Sequence, residues 1–95
     1  MLKINGIIWL EDIVQKLIWK HRVEREEVIE VLDNSPKFRY IEKGYQKDEN
    51  VYAALGQTEA GRYLVIFFIY KINHQALIIS ARDMTTSERK KYEQK

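Results

Sequence analysis

The 95-residue sequence contains no cysteine. Disulfides, thiolate zinc sites and cysteine nucleophiles are excluded together. His21 and His74 are the only histidines, too few to cage a metal unless carboxylates complete the site. No metal and no cofactor is therefore expected. Pro36 is the single proline, and Gly6, Gly44, Gly56 and Gly61 are scattered, so there is no linker and no glycine-rich phosphate loop. Long hydrophobic runs are missing too. The longest unbroken apolar stretch covers residues 63–70, too short to cross a bilayer as a helix. The first residues carry one lysine and too short an apolar run for a signal peptide, which predicts a cytoplasmic protein with no membrane partner. Charge of one sign is scarce: 16 Lys and Arg against 14 Asp and Glu leave +2. Bulk charge alone does not attract a polyanion, so any nucleic-acid role depends on where the cations sit.

What remains is 45% hydrophobic and 32% charged, enough for one modest core inside a polar shell. A single domain over residues 1–95 is expected. Residues 2–9 are β-branched and apolar, as in a short strand. Leu10, Ile13, Val14, Leu17 and Ile18 then recur at three- and four-residue spacing, which predicts a helix over residues 10–21. Glu11 and Asp12 open it, and Lys16, Lys20 and His21 close it, each sign opposing the dipole at its end. A second helix is expected over 24–33, with Val28 and Leu32 on its apolar side and Glu26, Glu27 and Glu30 on the solvated one. Pro36 stops it. Strands are expected near 38–41, 51–55, 62–72 and 76–82, with a polar loop at 42–50, a hairpin loop at 57–61 and a turn at Asn73-His74. Thr85-Thr86-Ser87-Glu88 has the form of a capping box and starts a nearly all-polar last helix, with Met84 and Tyr92 as its docking contacts. The order β-α-α-β-β-β-β-α makes an α+β fold, with helices packed on an antiparallel sheet.

No nucleophile–base–acid triad can be assembled from these residues. Arginine placement is more informative. Arg62 begins the longest strand and Arg82 ends the next, with a midpoint within a residue or so of the Asn73-His74 turn, so the two should share one end of the sheet. On one face they would form a phosphate clamp; the plainer reading is that each pairs with a surface carboxylate. Arg89, Lys90, Lys91 and Lys95 add positive charge on the last helix. Arg89 and Tyr92 share a helix face, where the tyrosine can stack a base, donate a proton or simply anchor the helix. His21 is a general-base candidate, against the plainer role of partner to the helix dipole. Trp9, Trp19, Phe67 and Phe68 read as core.

Ile78-Ile79-Ser80-Ala81-Arg82, followed by Thr85, Glu88, Arg89 and Tyr92, resembles the C-terminal signature I-I-S-A-R-x-x-T-x-x-E-R-x-x-Y of BrnT-type toxins. Ala54-Leu55-Gly56, Gly61-Arg62-Tyr63-Leu64-Val65, and Trp9 with Lys20-His21-x-Val23 are similar to upstream segments of that family. The resemblance covers nearly the whole chain. It implies a RelE-like fold and a ribonuclease toxin of a type II toxin–antitoxin pair. Such a toxin inhibits translation and is neutralised by a ribbon-helix-helix, BrnA-like antitoxin. RNA cleavage by RelE-like toxins runs without metal, by attack of the ribose 2′-hydroxyl on the adjacent phosphate. By position, Arg62, Arg82 and Arg89 would supply charge at the phosphate. Tyr92 and His21 would move protons, and Lys20, Lys90 and Lys91 would contact RNA. Family members carry an aspartate, a lysine, an asparagine and a glycine where this chain has Leu10, Ile13, Leu17 and Arg22. The first helix is correspondingly apolar, a face that suits a protein partner or self-association. A non-catalytic RelE-like binding module is the alternative reading.

Overall fold

The structure is a computed structural model that describes residues 2–94; Met1 and Lys95, the latter grouped above with the basic residues of the last helix, lie outside the described residues. Strand β1 (Gly6–Ile8) leads into helix α1 (Glu11–Lys16), which continues as a π-helical turn (Leu17–His21). Helix α2 (Arg25–Asp33) follows, then β2 (Lys37–Lys43), β3 (Asn50–Gln57), β4 (Tyr63–Tyr70), β5 (Gln75–Asp83) and helix α3 (Thr86–Glu93). The sheet order is β1-β5-β4-β3-β2. The expected α+β order is present. Strands β2 to β5 form an antiparallel meander, whereas β1 joins β5 in parallel. The helical segment between β1 and β2 is the crossover that a parallel pairing requires.

The inner face of the sheet carries the main core. Leu64, Ile66 and Phe68 of β4, Ala54 of β3, and Ala76, Ile78 and Ala81 of β5 pack against Leu17, Val23, Val28 and Val31 from the helical side. Each large side chain buried there contributes about 1.5–3 kcal/mol. Close approach of α2 to β3 depends on Gly56, where a Cβ would lie 3.1 Å from Val31. The outer face is only partly covered. Ala53, Leu55 and Val65 form a second small cluster there, capped by Phe67, Met84 and Tyr92. Strand β4 is thus sandwiched near its start, as its continuous apolar sequence predicts.

Two expectations fail at the end of the first helix. Trp19, read as core, is 83% exposed, and Ile18 of the predicted stripe is also exposed. The cause is the π turn. The Val23 amide donates to the Leu17 carbonyl at 3.0 Å and the Arg22 amide to the Ile18 carbonyl at 3.1 Å. Each bond spans one residue more than in the usual Schellman ending. The wider turn keeps Leu17 and Val23 in the core and turns Ile18 and Trp19 outward. Arg22, at φ 54°, takes the left-handed position that closes the turn, where glycine meets least strain. The other aromatics named above behave as expected in part: Phe68 is fully buried, while Trp9 and Phe67 are half-buried.

Candidate functional site

Arg62 and Arg82 do share one end of the sheet, but they lie on opposite faces. Arg82 pairs across the ladder with Val65, and Leu64 with Asp83. Arg62 stands three residues before Val65, an odd step, and side chains alternate between faces with period two. The single-face clamp is therefore not formed.

On the inner side, the Arg62 guanidinium is saturated. Nε donates to Asp83 Oδ1 at 2.8 Å and Nη2 to Asp83 Oδ2 at 3.2 Å. Nη2 also donates to the His21 carbonyl at 3.0 Å. Nη1 serves the Arg22 carbonyl at 2.7 Å and the Glu27 carboxylate at 3.2 Å. Arginine has five N–H donors, and here each has an acceptor. These bonds raise the Arg62 pKa, the Asp83 hydrogen bond first, and the same bond lowers that of Asp83. Glu27 also accepts the Glu24 amide at 3.1 Å, so it closes the first turn of α2 while it holds Arg62. His21 is half-exposed beside this cluster.

On the outer side, Arg82 holds α3 in the same manner. Nη1 and Nη2 donate to the two Glu88 oxygens at 2.7 and 2.9 Å, and Nη1 to the Asp83 carbonyl at 3.1 Å. Its guanidinium also lies 5.4 Å from the Phe67 ring centre. Glu88 in turn accepts the Thr85 amide at 2.8 Å, and the Glu88 amide donates to the Thr85 hydroxyl at 3.1 Å. The capping box is formed as its sequence predicts. The Arg82 hydrogen bonds, then the Thr85 amide, pull the Glu88 pKa down from 4.5 to about 2 against the opposing effect of burial.

The far end of α3 is pinned by a residue that sequence reasoning missed. Lys37 Nζ donates to the carbonyls of Tyr92 and Gln94 at 2.5 and 2.8 Å. A lysine is well placed there, because the last carbonyls of a helix lack partners and the dipole is negative. Lys37, Leu55, Val65 and Arg82 are successive partners in one row across the sheet, so α3 crosses the strands along that row. Tyr92 rests on the apolar middle and meets the Tyr63 ring edge-on at 6.0 Å. Arg89 stacks over Tyr63 at 4.0 Å, with its Nε 3.2 Å from Glu93.

Between α3 and edge strand β2 runs a groove of about 190 Å³, lined by Lys37, Phe38, Arg39, Leu55, Lys91 and Tyr92. Arg39 pairs with Ala53, which places it on the outer face. Its sequence signal was the alternation of Lys37 and Arg39 in a strand. That alternation says two cations share a face but not that α3 lies over it. Among the described residues, no carboxylate is within ion-pairing distance of Lys20, Arg39, Lys90 or Lys91. Donors without acceptors among the described residues rank these three arginines: four of five at Arg89, two at Arg82 and none at Arg62. Lys20 lies apart from this groove, in the π turn, and is exposed. No three histidine or carboxylate side chains gather as a metal-binding group among the described residues. No helix among them is long and apolar enough to cross a membrane.

A family model described as the ribonuclease toxin BrnT of type II toxin–antitoxin systems matches residues 9–88. The chain belongs to the BrnT family. That family is one of ribonuclease toxins, so RNA as substrate and an antitoxin as partner come with membership. In structure, this BrnT-family chain is similar to the Brucella abortus ribonuclease toxin BrnT, solved at 1.1 Å resolution. The TM-score is 0.62 at 22% identity, over 85% of this chain and 97% of that one, which establishes a shared fold. No curated protein matches the sequence significantly. The matched segment reaches Glu88, so it contains β4, β5 and the capping box that starts α3.

Proposed function

We propose that this chain is a metal-independent endoribonuclease toxin that cuts RNA on the outer face of its sheet and so stops translation. The observation that carries this reading is the convergence at α3. Arg82 and Arg89 keep open donors at the start and middle of this helix, and Tyr92 at its end lines a groove whose cations Arg39 and Lys91 have no carboxylate partner among the described residues. RNA enters along that groove, its phosphates drawn to Lys37, Arg39, Lys90 and Lys91. The 2′-hydroxyl of one ribose attacks the adjacent phosphorus and gives up its proton to water, which later reprotonates Tyr92, while the bond to the 5′-oxygen breaks. Negative charge grows on the phosphate oxygens, and the open donors of Arg89 and Arg82 stabilise it. The Tyr92 hydroxyl donates a proton to the departing 5′-oxygen. Arg62 and His21, candidates by position, take a different part in this proposal: Arg62 fixes the π turn and α2 to the sheet, and His21 borders that anchor. The protein acts in the cytoplasm as a single domain over residues 1–95, with a ribbon-helix-helix antitoxin as its partner. Self-association of the chain uses the exposed Leu10 and Ile18 of the first helical segment.

The test is cleavage of single-stranded RNA by the purified protein in excess chelator. The expected result is undiminished cutting that leaves 2′,3′-cyclic phosphate and 5′-hydroxyl ends. Arg89→Ala and Tyr92→Phe should each reduce the rate by roughly 10²-fold or more. Cutting that needs a divalent ion, or that survives both substitutions unchanged, would sink the proposal.

A further inference from the structure

We propose that the π turn presents Trp19 as a stacking platform for an unpaired base of RNA, so that this toxin grips its substrate at a second point outside the α3 groove. The proposal rests on the RNA-cutting function above and adds a binding residue to it. Trp19 is 83% exposed, and the residues that keep the turn in the core are its neighbours Leu17 and Val23. The indole therefore contributes little to folding, and the wide turn holds it out in solvent. π turns of this kind recur at functional sites.

The surroundings of the indole favour a polyanion. Lys16, Lys20 and Arg22 are exposed and His21 is half-exposed, and the chain carries no carboxylate between Asp12 and Glu24. The carboxylates that face the end of the turn, Glu27 and Asp83, are held by Arg62. An exposed aromatic with cations at neighbouring positions is an arrangement that binds single strands, the base stacking and the flanking phosphates pairing with the cations; the Glu11 carboxylate on this side is engaged by Gln15. A protein-binding hot spot built on tryptophan usually has few lysines around it. Gln15, Lys16 and Trp19 together line a shallow cleft, and the Gln15 side chain donates to Glu11, leaving its amide oxygen to accept from a base edge.

The turn is also fixed relative to the cutting site. Its last carbonyls accept from Arg62, Arg62 binds the Asp83 carboxylate, and the Asp83 carbonyl accepts from Arg82. The platform and Arg82 are thereby tied to one end of the sheet. A base seated on Trp19 sets which nucleotides enter the groove.

The experiment uses the whole chain and a 2′-O-methyl RNA oligomer roughly eight nucleotides long, which cannot attack its own phosphates. Affinity is read by anisotropy and stacking by quenching of tryptophan emission. Trp19→Ala is expected to weaken binding roughly tenfold and to abolish the quench, with its thermal transition unchanged. Trp19→Phe should restore most of the affinity and Trp19→Leu should not, a difference that a role of bulk alone would not predict. If Arg89→Ala weakens binding while Trp19→Ala does not, the platform is wrong and the cutting site stands. If the wild-type chain does not bind the oligomer at all, both readings fail. If Trp19→Ala spares RNA binding but abolishes capture of the cognate antitoxin, the surface belongs to a protein interface and the platform is overturned.

Discussion

Arg62 shows how a residue can look catalytic from its position and be fully occupied in the fold. Each of its five donors has an acceptor, and those acceptors come from the π turn, α2 and β5. Replacing it by alanine strands two carboxylates and two carbonyls at a partly exposed site. The expected cost is about 2 kcal/mol, discounted for screening, and urea unfolding will show it. RNA cleavage measured well below the transition should then fall far less than in Arg89→Ala. The sequence carried the pairing of the two arginines about the Asn73-His74 turn. It could not tell their faces apart, because that depends on the register Val65↔Arg82. Trp19 was misread for a related reason. The spacing of Leu10, Val14 and Ile18 fits a regular helix, and nothing in it announces the extra residue in the closing turn.

Among the elements, α3 is the least secure. It has no buried residue, and most of its hold comes from Arg82 at one end, Lys37 at the other and Tyr92 between. The Thr85–Glu88 capping box made this helix legible from sequence, and the strands were legible from β-branched runs. Lys37 was not, since its partners are backbone carbonyls 55 and 57 residues away. The Glu88 pKa is depressed to about 2. Its ion pair therefore contributes fully above pH 4.5 and is lost as pH falls towards 2, with Asp83, also depressed, adding in the same direction. Acid should loosen α3 by about 2 kcal/mol over that window. The Tyr63 and Tyr92 ring resonances followed by NMR will report it. In Glu88→Gln the contact should be weak already at pH 7 and show little further change on acidification.

At the scale of the whole molecule, a charge of +2 conceals a division of labour. Carboxylates of α2 serve the inner face through Glu27 and Glu30, the latter accepting the Glu59 amide. On the outer face, Arg39, Lys90 and Lys91, without carboxylate partners among the described residues, belong to α3 and the strand beside it, and a second group, Lys16, Lys20 and Arg22, lies at the π turn. RNA affinity should therefore fall steeply with salt although the net charge is small. Lys90→Gln with Lys91→Gln is expected to reduce the slope of log K against log salt by about 1.4, near 0.7 per phosphate contact on a single strand. Unchanged slopes in a salt titration would place the RNA elsewhere. Family membership and fold both follow from features visible in the chain, the tail motif foremost. The outer groove needed coordinates, because it joins residues of β2 and α3 that lie far apart in the sequence.

Glu27 and Glu88 occupy the same place in their helices: each is a third-position carboxylate that accepts the cap amide and grips an arginine from the sheet. The two grips meet at Asp83, which offers its side chain to Arg62 and its carbonyl to Arg82. One residue thus serves as a hinge pin between two otherwise separate layers. Breaking the Arg82–Glu88 pair should therefore loosen α3 and leave the hold of Arg62 on α2 intact, so one side of this protein can be weakened without melting the other.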